Sequence, residues 1–176
     1  MSAPTTHTHH TGGCQCGAIR YRVEGGLGDA SVCHCRMCQK ASGGFYMPLV
    51  SLGTARLTWT RGHIRHFQSS NAARRGFCGD CGTPLTYEAP DGVALAIGTF
   101  DDPGDLKPGI QWGVEAKLPY VDEVPALPQQ ETSADEGAAA FLATLVSYQH
   151  PDHDTDDWTP KIEEAREHWR PKEQGV

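Results

Sequence analysis

Seven cysteines constrain this chain more than any other feature. Cys14, Cys16, Cys33, Cys35, Cys38, Cys78 and Cys81 all lie in the first 81 of 176 residues. They form three clusters, C-Q-C, C-H-C-R-M-C and C-G-D-C. Disulfides explain this poorly: the number is odd, and C-x-C is too close for an ordinary intrachain bridge. Thiolate ligation of zinc fits best, because zinc favours sulfur donors in tetrahedral geometry. Two complete tetrahedral sites need eight ligands, so one site closes with four sulfurs and the other is left with three.

The spacings suggest the division. Cys78-Gly79-Asp80-Cys81-Gly82 reads as a knuckle, its glycines allowing the tight turn that brings two sulfurs to one ion. Cys14 and Cys16, at i and i+2 of an extended chain, point the same way and supply two more. Cys33 and Cys35 share a face in the same manner, and Cys38 joins them if the chain turns after Cys35. The expectation is a closed, structural site on Cys14, Cys16, Cys78 and Cys81 and an open, catalytic one on Cys33, Cys35 and Cys38. The closed site joins segments more than sixty residues apart, a costly loop to close without a metal. Small structural zinc sites return about 10–16 kcal/mol on binding. The competing reading closes the middle site with His34, His63 or His66, His34 being the weakest candidate because it would face away from its neighbours on a strand.

Charge is uneven. Residues 1–120 carry a balance of +2 and residues 121–176 one of -9, for a net -7. Between Cys33 and Cys81 the sole carboxylate is Asp80, against Arg36, Lys40, Arg56, Arg61, Arg65, Arg74 and Arg75. Those bases form a solvated face, attract an anion, or offset ionised thiols. A nucleic-acid binder would need a clearer positive excess. No apolar run approaches the roughly 18 residues of a membrane helix. The opening MSAPTTHTHHTGG has no secretory apolar core, so a cytoplasmic protein without a membrane partner is expected.

Only 38% of the residues are hydrophobic, while Gly 20 and Pro 12 favour turns and short strands. Ala18–Val23 alternates apolar and basic as a half-buried strand does. Further strands are expected over 30–35, 45–50, 56–60, 64–68, 85–88, 93–97 and 110–114, with one helical turn over Arg36–Ser42. Spacing near ten residues suggests an antiparallel all-β domain over residues 12–128. Residues 1–11, with His7, His9 and His10, read as a flexible arm. Residues 129–176 read as an acidic helical extension. There Ser133-Ala134-Asp135-Glu136 is a capping box opening an amphipathic helix of about fifteen residues. Its stripe of Ala138, Phe141, Leu142, Leu145 and Gln149 is expected to pack on the β domain or on another copy, so an oligomer through this helix is allowed. A second short helix is expected over Pro160–Arg170.

The segments G-G-C-Q-C-G-A-I-R-Y at 12–21, C-H-C-R-M-C-Q-K-A-S-G at 33–43 and F-C-G-D-C-G-T-P-L at 77–85 resemble the glutathione-dependent formaldehyde-activating enzyme family, which includes centromere protein V. Ile110-Gln111-Trp112 with Lys117 and Tyr120 is similar to that family's terminal segment. The resemblance implies an all-β fold of the β-tent type with two Zn²⁺ ions. It places the structural ion on the first and last cysteine pairs and the catalytic ion on the central C-x-C-x-x-C. It also implies carbon–sulfur lyase chemistry on a small thiol adduct, S-hydroxymethylglutathione formed from glutathione and formaldehyde. Arg36, Lys40 and Lys117 are candidates to meet the carboxylates of such a thiol. The alternative is a non-catalytic zinc-stabilised module that binds a thiol or a protein. A protein histidine on the middle ion would favour that module.

Overall fold

The structure, a computed structural model, describes residues 9–168. Among them are ten strands and three short α-helices, joined by turns and single 3₁₀ turns. Strands β1 (His9–Gly13), β2 (Arg20–Glu24) and β5 (Arg56–Arg61) form a three-stranded antiparallel sheet in the order β1-β2-β5. The other seven are β3 (Ala30–Cys33), β4 (Met47–Ser51), β6 (Arg65–Gln68), β7 (Arg74–Phe77), β8 (Pro84–Ala89), β9 (Gly92–Ala96) and β10 (Ile110–Trp112). They run in the order β10-β3-β4-β9-β8-β7-β6. All pairs are antiparallel except β10 with β3, which is parallel and sets Trp112 beside Cys33. That one parallel pair departs from the uniformly antiparallel domain expected.

Side-chain alternation explains the layering. In β2, Tyr21 and Val23 are fully buried while Arg22 points to solvent. In β5, Leu57 and Trp59 turn inward between exposed Arg56, Thr58 and Thr60. β4 is buried on both faces: Val50 joins Tyr21, Val23, Leu85 and Leu95 in the main core, while Met47 and Leu49 pack on the opposite side with Cys38 and Ala96. β9 does the same, Leu95 facing one way and Ala96 the other. Full burial of each such side chain stabilises by about 1.5–3 kcal/mol. The seven-stranded sheet thus supports two separate packing clusters, and each contains one set of cysteines.

Helix α1 (Arg36–Ser42) follows β3 directly and ends at Gly43, matching the expected helical turn. Helix α2 (Glu136–Leu142) spans seven residues, half the length expected. Its cap is Asp135, whose Oδ1 accepts from Ala138 N at 2.7 Å, and not Ser133. Phe141, Leu142, Leu145 and Val146 are all exposed, so the apolar stripe is not buried on the β domain, although Leu145 and Val146 line a hollow beside Cys16 and Cys81. Helix α3 (Ile162–His168) falls within the second expected helix. His9, His10 and Thr11, expected in a flexible arm, belong to β1 and pair with β2, so the sheet reaches into that stretch. His7 lies outside the described residues.

The chain beyond the Pro-rich connector returns to the β domain. The indole of Trp158 donates to Cys16 O at 2.8 Å, and His150 N donates to Gln15 O at 2.8 Å. Arg20, held by Asp101, also binds Asp154 Oδ1 at 2.7 Å. Arg61 Nη2 donates to Thr155 O at 2.5 Å, and Ile162 packs against the main core. Gly17, at φ +75°, makes this docking possible: a Cβ there would stand 2.4 Å from the His150 ring and 2.5 Å from the Trp158 indole.

Candidate metal centres

The first centre is built by two turns. Cys14 and Cys16 lie just after β1, and Cys78 and Cys81 lie between β7 and β8. Gly82 at φ +79° lets the second turn close, with Gly82 N on Cys78 O at 3.0 Å and Cys78 N on Thr83 O at 2.9 Å. The four sulfurs lie within 4.8 Å of one another. Cys14 Sγ is 3.5 Å from Cys16 Sγ, which is 3.9 Å from Cys78 Sγ. Sulfurs on a tetrahedral zinc site stand about 3.8 Å apart, given Zn–S bonds near 2.3 Å. The electrostatics fit as well. A hydrogen bond from Cys14 holds the Cys81 thiol down to about 3, and the same contact, with burial, pushes Cys14 far above the usual thiol range. Burial pushes Cys16 up to about 11. Four thiols this close, three of them buried, cannot all ionise against one another, and a divalent cation is the partner that allows it.

The second centre lies on the far face of the large sheet. Cys33 ends β3, Cys35 precedes α1, and Cys38 sits in its first turn. Gln39, buried in α1, fixes the turn by donating from Nε2 to His34 O at 2.5 Å and to Ala116 O at 2.9 Å. The three sulfurs lie within 4.8 Å of one another. Cys38 is buried, while Cys33 and Cys35 are half-buried. Burial pushes the Cys38 thiol up to about 12, against the pull of Arg75. Burial also raises Cys35, but hydrogen bonds from Cys38 and its neighbours outweigh it and leave that thiol below its usual range. The sulfurs open on a cleft of about 660 Å³ whose walls include Arg75, Tyr87, Met37 and Trp112.

All seven cysteines are brought together in the two expected groups, and both sets can hold a metal ion. Among the described residues, no histidine or carboxylate joins either group. His34 is buried, with Nε2 on Gln111 Oε1 at 2.9 Å and its ring against Tyr46. His63 is exposed, and His66 pairs with Glu88 at 2.9 Å. The three candidate carboxylate contacts are elsewhere: Arg36 is bonded to Gln39, Lys40 is exposed, and Lys117 pairs with Asp122 at 2.6 Å. Arg75 is the base at the centre. It is only 7% exposed and donates from Nη2 to Cys38 Sγ at 3.3 Å, from Nη1 to Met47 Sδ at 3.4 Å and from Nε to Ser69 Oγ at 3.2 Å. Its guanidinium also lies 5.0 Å from the Tyr87 ring centre. Seven bases lie between Cys33 and Cys81, and nothing in their spacing points to Arg75.

The family model of the glutathione-dependent formaldehyde-activating enzyme matches residues 9–115, which contain both centres and β1 to β10. The chain belongs to this family. Among solved structures, a crystal structure of a Rhodobacter sphaeroides protein is similar at 24% identity. The match covers 57% of this chain and 98% of that one, with a TM-score of 0.45. The family match ends before the connector, so the docked segment from His150 to Trp158 lies beyond the part this member shares with the family model.

Proposed function

We propose that this family member is a zinc-dependent carbon–sulfur lyase that cleaves, or in reverse forms, the adduct of a small thiol and an aldehyde, as in S-hydroxymethylglutathione. The observation that supports it is the unequal donor count: four sulfurs gather at one centre and three at the other, and all three of the second group line one cleft together. Cys14, Cys16, Cys78 and Cys81 would hold a structural zinc. Cys33, Cys35 and Cys38 would hold the second. A zinc ion on three thiolates offers Lewis acidity and a soft position for one more sulfur or oxygen.

The remaining work falls to the chain. Cys33, Cys35 and Cys38 would hold the ion at the cleft floor, where the reacting sulfur would come to lie. In cleavage the C–S bond breaks with its electron pair on sulfur, the hydroxyl proton passes to water in the open cleft, and the carbon–oxygen bond becomes the carbonyl of the aldehyde. Arg75, against Cys38, offsets the negative charge that gathers on sulfur in that step. Burial on Leu49 and Ala96 limits water at that end of the cleft.

The test is Cys33→Ser. This half-buried residue lies outside the main core, so the variant is expected to stay folded by circular dichroism. Elemental analysis should find two zinc ions per chain in the parent and one in the variant. Release of aldehyde from a thiol–formaldehyde adduct should cease. Full turnover with one metal missing overturns the assignment.

A further inference from the structure

The cleft beside Cys33, Cys35 and Cys38 carries a charge pattern that bears on which thiol it accepts. Among the described residues that line it, Arg75 is the sole cation. That guanidinium is not free for a substrate carboxylate, since each of its three nitrogens already meets a sulfur or a hydroxyl of the protein and the residue is buried. The charges that do face the opening are two exposed carboxylates, Asp29 and Asp91, neither paired with a cation among the described residues. Lys107 lines a neighbouring hollow that also touches Asp29, but does not line this cleft.

The balance is simple. Three thiolates on a divalent ion leave one net negative charge, and Arg75 cancels it. Asp29 and Asp91 then give the cleft a net negative field, felt most at low salt. A second feature points the same way. Trp112 is 57% exposed and forms part of the wall, and an indole face is the best aromatic partner for a cation. Carboxylates and an open indole around a sulfur site form a surface for an ammonium group. Glutathione brings two carboxylates and a single ammonium, so it would place a net negative body against this rim.

We propose, on the basis of the lyase reading above, that the cleft takes a thiol that bears an ammonium group and no free carboxylate, and that glutathione is a poor occupant. Asp29 and Asp91 are specificity residues at the rim, Trp112 receives the cation, and the thiol reaches Cys33, Cys35 and Cys38 at the floor.

The matched probes are cysteamine and 3-mercaptopropionate, which share a two-carbon spacer and differ in the sign of the terminal charge. Glutathione is the third probe. Each is titrated by calorimetry into the zinc-loaded full chain. Cysteamine should bind about tenfold tighter than 3-mercaptopropionate at low ionic strength, the order of effect of two charges acting through screened solvent. Added salt should narrow the gap. The double variant Asp29→Asn/Asp91→Asn, which touches neither centre, should narrow the gap between the two short thiols to what Trp112 alone supplies, while its zinc content stays at the parent value. Binding of 3-mercaptopropionate or glutathione as tight as that of cysteamine overturns the proposal and leaves the lyase reading standing. A preference for cysteamine that is undiminished in the double variant overturns the role of the two aspartates. Failure of all three thiols to bind overturns the lyase reading together with it.

Discussion

Arg75 and Arg74 are neighbours on one strand with opposite surroundings. Arg74 points to solvent and pairs with Glu88 at 2.6 Å, whereas Arg75 is buried against Cys38. Residues that hydrogen-bond to metal ligands tune affinity nearly as strongly as the ligands, and their loss typically costs about 10–100-fold. Arg75→Met keeps the volume and removes the charge and its hydrogen bonds. A zinc ion held on Cys33, Cys35 and Cys38 is therefore expected to pass to a chelator about 10–100 times more readily, and one held on Cys14, Cys16, Cys78 and Cys81 at the parent rate. Arg74→Met should change stability by no more than about 0.5 kcal/mol, as exposed substitutions do. Timed zinc release with a chromogenic chelator reads both. The two-residue period of a strand separates these arginines, but only once β7 is known to be a strand. Arg74-Arg75-Gly76-Phe77 offers no apolar alternation, so this strand was not legible in the sequence. The cysteines were legible because sulfur ligation leaves a spacing pattern that survives without tertiary knowledge.

Among the elements, the segment from His150 to Trp158 has a pH dependence of its own. Burial holds His150 below the usual histidine range; the Pro151 carbonyl opposes this, while the nearby Arg20 and Arg61 reinforce it and Asp101 opposes. The unfolded chain therefore takes up this proton first. The stability that neutral His150 confers is complete above about pH 6.5 and is lost as pH falls toward the lower folded value. Asp101 follows later. Burial raises its carboxyl, but hydrogen bonds from Arg20 and Thr11 outweigh that and keep it below the usual range, so its contribution fades only beneath about pH 4. Thermal melts of the parent should show a falling midpoint between pH 7 and pH 5.5, and His150→Gln should flatten that part of the curve. An identical slope in both proteins removes His150 from the account. Most strands were readable from alternation, and α1 was read to its residue. β1 was missed because His9-His10-Thr11-Gly12-Gly13 looks like an arm. α2 was overestimated because its apolar spacing is helical but its apolar side chains stay exposed. Helices shorter than about 12–15 residues gain most of their stability from packing, and Phe141 and Leu142 bury too little to extend this one. The return of the tail left no trace in the sequence, since Trp158 and His150 meet backbone carbonyls of Cys16 and Gln15 that carry no pattern.

At the scale of the molecule, the two centres belong to two packing clusters on opposite faces of one sheet. They should therefore respond to different perturbations. The tail closes over the first: Trp158 bonds the Cys16 carbonyl, His150 stacks edge-on at 4.7 Å from Trp158, and Ile162 reaches the core that holds Cys14, Cys16 and Cys78. Trp158→Ala removes the indole hydrogen bond and a half-buried ring, and is expected to lower unfolding stability by about 1–3 kcal/mol, below the 3–5 typical of a fully buried aromatic. It should also speed chelator extraction of the zinc on the first centre while leaving aldehyde release unchanged, the mirror image of Arg75→Met. Because the two centres sit in separate packing clusters, losses in the double variant Arg75→Met/Trp158→Ala should add to within about 0.5 kcal/mol. A coupling larger than that in denaturant titrations would mean that the sheet transmits strain between its faces. In that case the centres would have to be treated as one unit, with the tail acting on the cleft as well as on the core.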